Sequence, residues 1–281
     1  MAQVSVIIPT YNRAGKVARA IASVLYQTFT DCEVIVVDDG STDSTADTLS
    51  LLDSHLIIIR HEQNRGVSAA RNTGIKAASA PLVAFLDSDD YWFPEKLGLQ
   101  AAFFESRPGA VACQTQELWI RKGRRVNPAK KHLKPWGNIF EPSLKLCLVS
   151  PSAVVVRRAL FDEVGFFDET FPVCEDYDLW LRISCRYPVD LIDRYLVIKE
   201  GGHMDQLSRS MKGMDRFRIQ AMAKLLQEGC LTQSQVLAVF TELKAKCEVY
   251  GLGCLKRGRK DEGQYYLELP FHLRSLYGQK T

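Results

Sequence analysis

The stretch Leu82-Val83-Ala84-Phe85-Leu86-Asp87-Ser88-Asp89-Asp90 decides how we interpret this chain, because five apolar residues run directly into three carboxylates. A short, continuous apolar run that ends in polar residues is typical of a strand buried on both faces. Strands of that kind belong to parallel sheets, whose two faces are covered by helices. We therefore expect a buried strand over 82–86 and a polar turn at its carboxyl end.

Strands and helices alternate up to about residue 95. The predicted strands cover 4–8, 33–37, 56–59 and 82–86, and the helices between them cover 17–25, 41–53 and 67–78. Alternation of this kind implies an α/β fold with a mostly parallel sheet flanked by helices. Ligands of such sheets bind beyond the carboxyl ends of the strands. The polar turns 9–13, 38–41 and 87–90 should therefore outline one crevice.

The second half of the chain is less regular. Residues 100–150 carry aromatic and basic loops, which we interpret as a covering segment on the acceptor side; a strand (153–156), a helix (176–186) and a strand (191–198) follow. From about residue 214, apolar residues recur at helical spacing, which predicts two to four helices packed as hairpins and forming a dimer contact. We accordingly divide the chain into an α/β domain, 1–212, and a helical C-terminal region, 213–281.

Composition and charge limit the classes of protein to which this chain can belong. The 281 residues are 46% apolar and 25% charged, with a net charge of +3, which is ordinary for a globular protein and does not indicate nucleic-acid binding. Basic runs at 121–125 and 256–260 are either solvated loops or sites attracted to an anionic membrane surface or an acidic substrate. Eight cysteines without C-x-x-C spacing favour reduced thiols. With no apolar stretch near the ~20 residues of a membrane span, we expect a cytoplasmic protein, at most peripheral to the inner face of a membrane.

The acidic turn indicates a cation. Carboxylates crowded at one strand end repel one another unless a positive group lies among them, and a divalent ion would serve. Mg²⁺ and Mn²⁺ use few protein carboxylates and complete their shell with water or phosphate oxygens. The alternative is that an aspartate caps the helix that begins near Pro94.

Two other polar positions are candidates for ligand contact. Asp39, after the second strand, could accept a hydrogen bond from a uracil imide or a ribose hydroxyl, or it could cap the next helix. Arg71 stands among small residues of a helix, from which it could reach a base or phosphates. A solvated surface arginine explains the same pattern.

A second acidic cluster precedes a helix at 174–180. Carboxylates in a first helical turn are favoured by the helix dipole, which explains much of the pattern. Trp180, however, lies one turn from Asp176, and a sugar site uses a ring for stacking and a base to take a hydroxyl proton. His203 follows two glycines, so it could approach a metal or phosphate, or be merely structural.

Four ordered motifs together closely resemble those of glycosyltransferase family 2. They are VSVIIPTYNR (4–13), VVDDGSTD (36–43), NRGVSAARN (64–72) and DSDD (87–90), and the resemblance covers about the first 210 residues. It implies the glycosyltransferase A-type fold, a nucleotide-diphosphate-sugar donor, with UDP-sugar as the default, and Mn²⁺ or Mg²⁺ as cofactor. It also implies inversion at the anomeric carbon and transfer to an acceptor hydroxyl, in cell-surface polysaccharide or glycoconjugate synthesis.

The resemblance also implies roles for single residues. The donor would be held by Pro9, Tyr11, Asn12, Asp39, Arg71, Asp87 and Ser88, with Asp87 on the ribose side. The metal would be bound by Asp89 and His203. Glu175-Asp176 matches the Glu-Asp catalytic motif of the family, which makes Asp176 the expected general base.

One motif departs from part of the family. Gln206-Leu207-Ser208-Arg209 is similar to the Gln-x-x-Arg-Trp motif of processive synthases, but Ser210 replaces the tryptophan. We therefore do not expect processive synthesis through a membrane channel. Two other functions stay open: a non-catalytic nucleotide-sugar-binding scaffold, and a sugar-phosphate nucleotidyltransferase. The latter would need a glycine-rich, arginine-containing loop after the first strand, where this chain has 9–13.

Overall fold

The computed structural model describes residues 2–52, 56–127, 132–202 and 213–278. The strands are β1 (Val4–Thr10), β2 (Cys32–Asp38), β3 (Leu56–Arg60), β4 (Leu82–Phe85), β5 (Tyr91–Trp92), β6 (Ala112–Arg121), β7 (Arg124–Val126), β8 (Val154–Arg157) and β9 (Asp190–Gly201). The helices are α1 (Ala14–Leu25), α2 (Thr45–Ser50), α3 (Val67–Ala77), α4 (Lys96–Ser106), α5 (Phe140–Lys145), α6 (Leu160–Val164), α7 (Glu175–Ser184), α8 (Asp215–Gln227), α9 (Gln233–Lys256) and α10 (Lys260–Gly278).

The described strands form one mixed sheet in the order β3-β2-β1-β4-β8-β6-β9-β5, with β7 paired to β6. Strands β1 to β4 are mutually parallel, as the alternating pattern predicts, so their carboxyl ends share one edge. Strand β8 is antiparallel to both β4 and β6, β6 is parallel to β9, and β9 is antiparallel to β5. The fold prediction is confirmed, and the second half adds antiparallel pairings that the sequence pattern did not reveal.

Strand β6 corrects the interpretation of residues 100–150 as a covering segment. It lies inside the sheet: residues 113–121 pair with β9, and on the other side 112–114 pair with β8 and 119–121 with β7. The sequence pattern did not predict this strand, because buried strands usually consist of apolar residues. Here the polar residues Gln114, Thr115 and Glu117 are buried in it.

Helix α2 is shorter than the predicted 41–53. The backbone N–H of Ser41 donates to Asp38 Oδ1 at 2.9 Å, and that of Thr42 donates to Asn12 Oδ1 at 2.8 Å. These donors are held by side chains of two strand-end turns, so residues 41–43 form a fixed loop and the helix begins at Thr45.

Each face of the sheet carries its own hydrophobic core, since neighbouring residues of a strand point to opposite faces. Ile7 of β1 packs with Phe85 and with helices α3, α6 and α7. Val6 and Ile8 belong to the opposite core, with helices α1, α2 and α4. This double cover holds the turns at the strand ends in place.

Over 213–278 the C-terminal region contains three helices, within the predicted range, and α9 packs along α10. Phe217 of α8 and Leu243 of α9 share a third core with Leu144 of α5 and Tyr177 of α7. The helical region is thus continuous with the packing around α7. The boundary at 212 and the dimer contact stay predictions.

All eight cysteines are free thiols, as predicted. Within the described ranges, no helix combines the length and the apolar character needed to cross a bilayer.

Candidate functional site

A cavity of about 670 Å³ opens where β1, β2 and β4 end, and its wall also includes the start of α7 and the end of β9. The structure brings most of the sequence-predicted site residues to this wall. They are Pro9, Tyr11, Asn12, Asp39, Arg71, Asp87, Ser88, Asp89, Glu175 and Asp176. The three polar turns therefore form one crevice, because parallel strands end at the same edge.

Asp39 is buried and orders the loop that follows β3. Its Oδ1 lies 2.7 Å from His61 Nδ1 and accepts the Arg65 backbone N–H at 3.0 Å, while Oδ2 accepts the Gly66 N–H at 2.8 Å. Asp39 therefore does not cap α2, the helix that follows it, which was the alternative interpretation of this residue in the sequence. His61 was missed by the sequence analysis, because a single histidine after a strand carries no signal of its partner.

Glycine is required at position 40 of the second turn. Gly40 has φ +75°, and a Cβ at this position would lie 2.5 Å from the backbone carbonyl carbon of Gln63. Left-handed backbone and this close approach together exclude other residues without a shift of the loop. Asn12 links the first turn to the second, because its N–H donates to Ser41 Oγ at 2.9 Å.

Arg71 lies at the centre of the site and is buried, rather than solvated. Its guanidinium donates to Glu175 Oε1 at 2.7 Å and to Asp87 Oδ1 at 2.8 Å, and it lies over the Phe167 ring. Burial alone would raise the pKa of Asp87, but the Arg71 charge lowers it below its ordinary value. Arg71 therefore connects the acidic turn after β4 to the start of α7.

The three aspartates of the acidic turn have different environments. Asp90 is buried and structural: its carboxylate accepts from Ser152 Oγ at 2.7 Å and from the Glu200 N–H at 3.0 Å. Asp87 is held by Arg71. Asp89 lines the cavity, and burial together with repulsion from Asp87 raises its pKa.

Asp89 is the carboxylate of this turn that suits a cation, because a positive charge beside it would relieve that repulsion. Within the described ranges, no group of three or more histidine, cysteine or acidic side chains is arranged to hold a metal. His203, the other predicted ligand, lies outside the described residues, as does the segment 206–210.

The start of α7 presents the second acidic pair. Asp176 lines the cavity, and its carboxylate accepts from the Tyr177 N–H at 2.7 Å and from the Cys147 thiol at 3.5 Å. Glu175 is buried on Arg71. Burial, with repulsion from Asp176, raises the pKa of Glu175 to about 7 against the opposing effect of Arg71.

The structure contradicts the predicted role of Trp180 as a stacking surface for a sugar. The side chain is only 2% exposed and packs in the core with Leu179 and Ile183. A ring that is closed off from solvent cannot stack on a sugar. The spacing of one helical turn placed it near Asp176, but that face of α7 lies against the sheet.

Lys199 is a cavity residue that the sequence analysis missed. Its Nζ donates to Ser150 Oγ at 3.0 Å and lies 3.8 Å from Asp90 Oδ2. The neighbouring Glu200 also lines the cavity and is paired with Arg19. A lysine near the end of a strand is ordinary in sequence, and only the sheet order brings β9 to the acidic turn.

Comparison with known proteins gives consistent matches. The family model described as Glycosyl transferase family 2 matches residues 5–165. An uncharacterized glycosyltransferase of Rickettsia felis is 34% identical over 195 residues, which cover 69% of this chain and 32% of that protein. This chain therefore spans about a third of that relative. The UDP-Glc:alpha-D-GlcNAc-diphosphoundecaprenol beta-1,3-glucosyltransferase WfgD of Escherichia coli is 35% identical over 181 residues, or 64% of this chain and 69% of WfgD.

Among solved structures, S. aureus TarS 1-349 in complex with UDP-GlcNAc is similar, with a TM-score of 0.75. The sequence identity is 22%, and the match covers 96% of this chain and 79% of that one. At this identity, the similarity establishes a shared fold. It agrees with the architecture expected from the four motifs.

Proposed function

Because this chain belongs to glycosyl transferase family 2, we propose that it transfers a sugar from a UDP-sugar donor to a hydroxyl group of an acceptor, in polysaccharide or glycoconjugate synthesis. One observation carries the proposal. A single cavity holds Asp39, Asp89 and Asp176, which match the family's nucleoside, metal and base positions. The name of WfgD, which states a UDP-glucose donor, supports UDP as the nucleotide.

The nucleoside end of the donor would occupy the turns after β1 and β2. Tyr11 is 42% exposed at the cavity wall, so its ring offers a surface on which a base can stack. Asp39 can accept one more hydrogen bond there, since a carboxylate has about four acceptor positions. Arg71 would act as a positioning residue that holds Asp87 and Glu175, because both of its terminal nitrogens are already engaged.

Asp176 would act as the general base. The acceptor oxygen, on losing its proton to this carboxylate, attacks the anomeric carbon from the face opposite to the diphosphate, and the configuration inverts. The thiol of Cys147 and the N–H of Tyr177 orient the carboxylate. Burial and the charge of Asp176 raise the pKa of that thiol well above its ordinary value, so it donates a hydrogen bond instead of ionising.

A divalent ion fits this site. Asp89 supplies the single carboxylate that Mg²⁺ or Mn²⁺ commonly needs when phosphate oxygens and water complete the shell. We propose Asp89 as its ligand, with His203 as a second. When bound, the ion would supply Lewis-acid compensation of charge on the diphosphate.

Contact with a membrane surface is proposed on separate grounds. The turn between β6 and β7 exposes Arg121, Lys122, Arg124 and Arg125 side by side. A cationic cluster of this size is attracted to anionic lipid headgroups. The acceptor in the name of WfgD is joined to diphosphoundecaprenol, a lipid, which is consistent with work at such a surface.

The test is donor turnover by the purified protein with a panel of UDP-sugars, Mn²⁺ and hydroxyl acceptors that include lipid-diphosphate-linked GlcNAc. Asp176→Asn should lower turnover by about 10²–10⁴-fold while UDP-sugar affinity stays nearly unchanged, because a general base acts in the transition state. Asp190→Asn, at a partly exposed ion pair with Arg107, is the matched control and should retain turnover.

Other results would point to other functions. UDP-sugar binding without any turnover would favour a non-catalytic binding or scaffold protein. Pyrophosphate release from UTP and a sugar phosphate would identify a nucleotidyltransferase. Full turnover by Asp176→Asn would remove that residue as the base.

A further inference from the structure

We propose that Lys199 is a catalytic residue of this chain, which binds the diphosphate of the donor and compensates the negative charge that develops on it as the sugar leaves. The inference rests on the proposed function, because it concerns the same donor. It assigns a role to a side chain that lies outside the four motifs of the family resemblance.

The position of Lys199 puts an ammonium group inside the cavity. Lys199 pairs with Trp119 of β6, near the carboxyl end of β9, and lines the same wall as Asp89 and Asp176. Its side chain is 30% exposed, so a ligand in the cavity can reach it. The hydrogen bond from Nζ to Ser150 Oγ, 3.0 Å long, holds the group in place, and among the described residues it leaves two of the three N–H donors for a ligand.

A diphosphate in this cavity would need a cation beside it, because the wall is acidic. Acidic side chains outnumber basic ones in the wall, and a diphosphate adds further negative charge. Arg71 is already neutralised by Asp87 and Glu175, which it contacts through both terminal nitrogens. Lys199, by contrast, directs its one hydrogen bond within the described residues to an uncharged hydroxyl, and its ion pair with Asp90 is longer, at 3.8 Å.

A purely structural role explains Lys199 less well. Asp90 lies 3.8 Å from the ammonium, beyond hydrogen-bond distance, and is already bonded to Ser152 and to the Glu200 N–H. Glu117, the other buried carboxylate nearby, has its own ion pair with Lys134 at 3.2 Å. The nearest buried acids therefore have partners besides Lys199.

Lys199 acts as a charge partner and does not give up its proton. Burial lowers the pKa of the ammonium, but Asp90, Glu117 and Asp87 more than offset this effect, and the net shift is upward. In the transfer step, the bond from the anomeric carbon to the β-phosphate oxygen breaks, and its electron pair stays on that oxygen. The acceptor oxygen forms the new bond, and its proton goes to Asp176. The ammonium stabilises the oxygen that gains the charge.

The experiment compares ligands that differ in the diphosphate alone. We would measure UDP affinity by calorimetry and uridine affinity by ligand-observed NMR, with and without Mn²⁺, for wild type, Lys199→Met and Lys199→Arg. Lys199→Met should weaken UDP binding by about 10- to 100-fold, the loss typical of one charge-assisted hydrogen bond, and leave uridine within about 2-fold. Lys199→Arg should recover most of the UDP affinity. Lys76→Met, which removes an exposed lysine at the end of α3, is the control for net charge and should change neither affinity.

A second measurement on the wild-type protein covers the case in which Lys199→Met does not fold, which a thermal melt would reveal. Nitrogen-15 NMR of the lysine ammonium groups, assigned with Lys199→Arg, should show that UDP shifts the Lys199 signal while uridine leaves it nearly unchanged, with Lys76 unaffected by either. Equal loss of UDP and uridine affinity, unchanged UDP affinity, or a Lys199 signal that UDP does not shift would each overturn the role of Lys199. Failure of the wild type to bind UDP would instead refute the proposed function itself.

Discussion

Replacing Arg71 with methionine tests whether one buried cation holds the site together. The guanidinium is only 4% exposed and bridges Asp87 and Glu175, at 2.8 and 2.7 Å. Methionine keeps much of the chain length but removes the charge, so the buried Glu175 and the partly exposed Asp87 would lose their shared partner. We expect Arg71→Met to fold with clearly lowered stability and to lose the alignment of the acidic turn with α7.

The size of the effect follows from burial. Removing one partner of a buried ion pair typically costs about 3–5 kcal/mol. Unfolding entropy of about 2.1 cal/mol/K per residue gives about 0.6 kcal/mol/K for the 281 residues of the chain, so the melting temperature should fall by about 5–9 °C at pH 8. Arg65→Met, at an exposed pair with Glu169, is the matched control and should shift the melting temperature by about 1 °C or less.

The pH dependence provides a second criterion, and its sign can be worked out. The pKa of Glu175 is about 7, raised by burial and by Asp176, so its contribution to stability is complete below its unfolded value of about 4.5 and is lost as the pH rises through 7. Without Arg71, the pKa of Glu175 would rise further, and the pKa of Asp87 would rise because it would lose the charge that lowers it. Protonation of these carboxyls should therefore make the deficit of Arg71→Met smaller at pH 5 than at pH 8.

The assay is thermal unfolding by circular dichroism between pH 5 and pH 8. Combining Arg71→Met with Asp87→Asn and Glu175→Gln should restore much of the lost stability, because the unpaired charges are removed. A melting temperature of Arg71→Met within 1 °C of wild type, or a deficit that does not change with pH, would refute the reasoning.

Three further predictions concern positions outside this network. Gly40→Ala should lower the melting temperature by several degrees, because it strains a positive φ and meets a backbone carbonyl, whereas Gly15→Ala, with open space around it, should not lower it. Gly251→Ala should destabilise the protein, since its Cβ would lie 2.9 Å from a backbone carbonyl of the facing helix; Gly253→Ala, which meets only a flexible arginine end, should be neutral or stabilising, and melts of the two variants compare them directly. Changing the four basic residues of 121–125 to glutamine should weaken binding to phosphatidylserine vesicles but not to neutral vesicles, as measured by flotation, and wild-type binding should fall with added salt. Equal binding by the variant and the wild type would exclude this turn as the membrane contact.

The hydrophobic pattern was sufficient to predict the first half of the fold. Apolar runs such as 82–86, alternating with helical periodicity, identify β1 to β4, and in β1, β2 and β4 the pattern follows from burial on both faces of a parallel sheet. The pattern failed at β6, whose buried residues Gln114 and Thr115 are polar. Only its neighbours β8 and β9 show that this segment belongs inside the sheet.

The sequence by itself determined which residue types stand at the strand ends, and hence that three polar turns would meet at one edge of a parallel sheet. Only the tertiary structure decided which partners these side chains contact and how deeply each is buried. It placed Arg71 between two acids, turned Trp180 into the core, brought Lys199 to the cavity and paired His61 with Asp39. The physical reason is that spacing along the chain predicts position on a helix or strand, whereas the charge and burial of a side chain depend on elements that are distant in sequence.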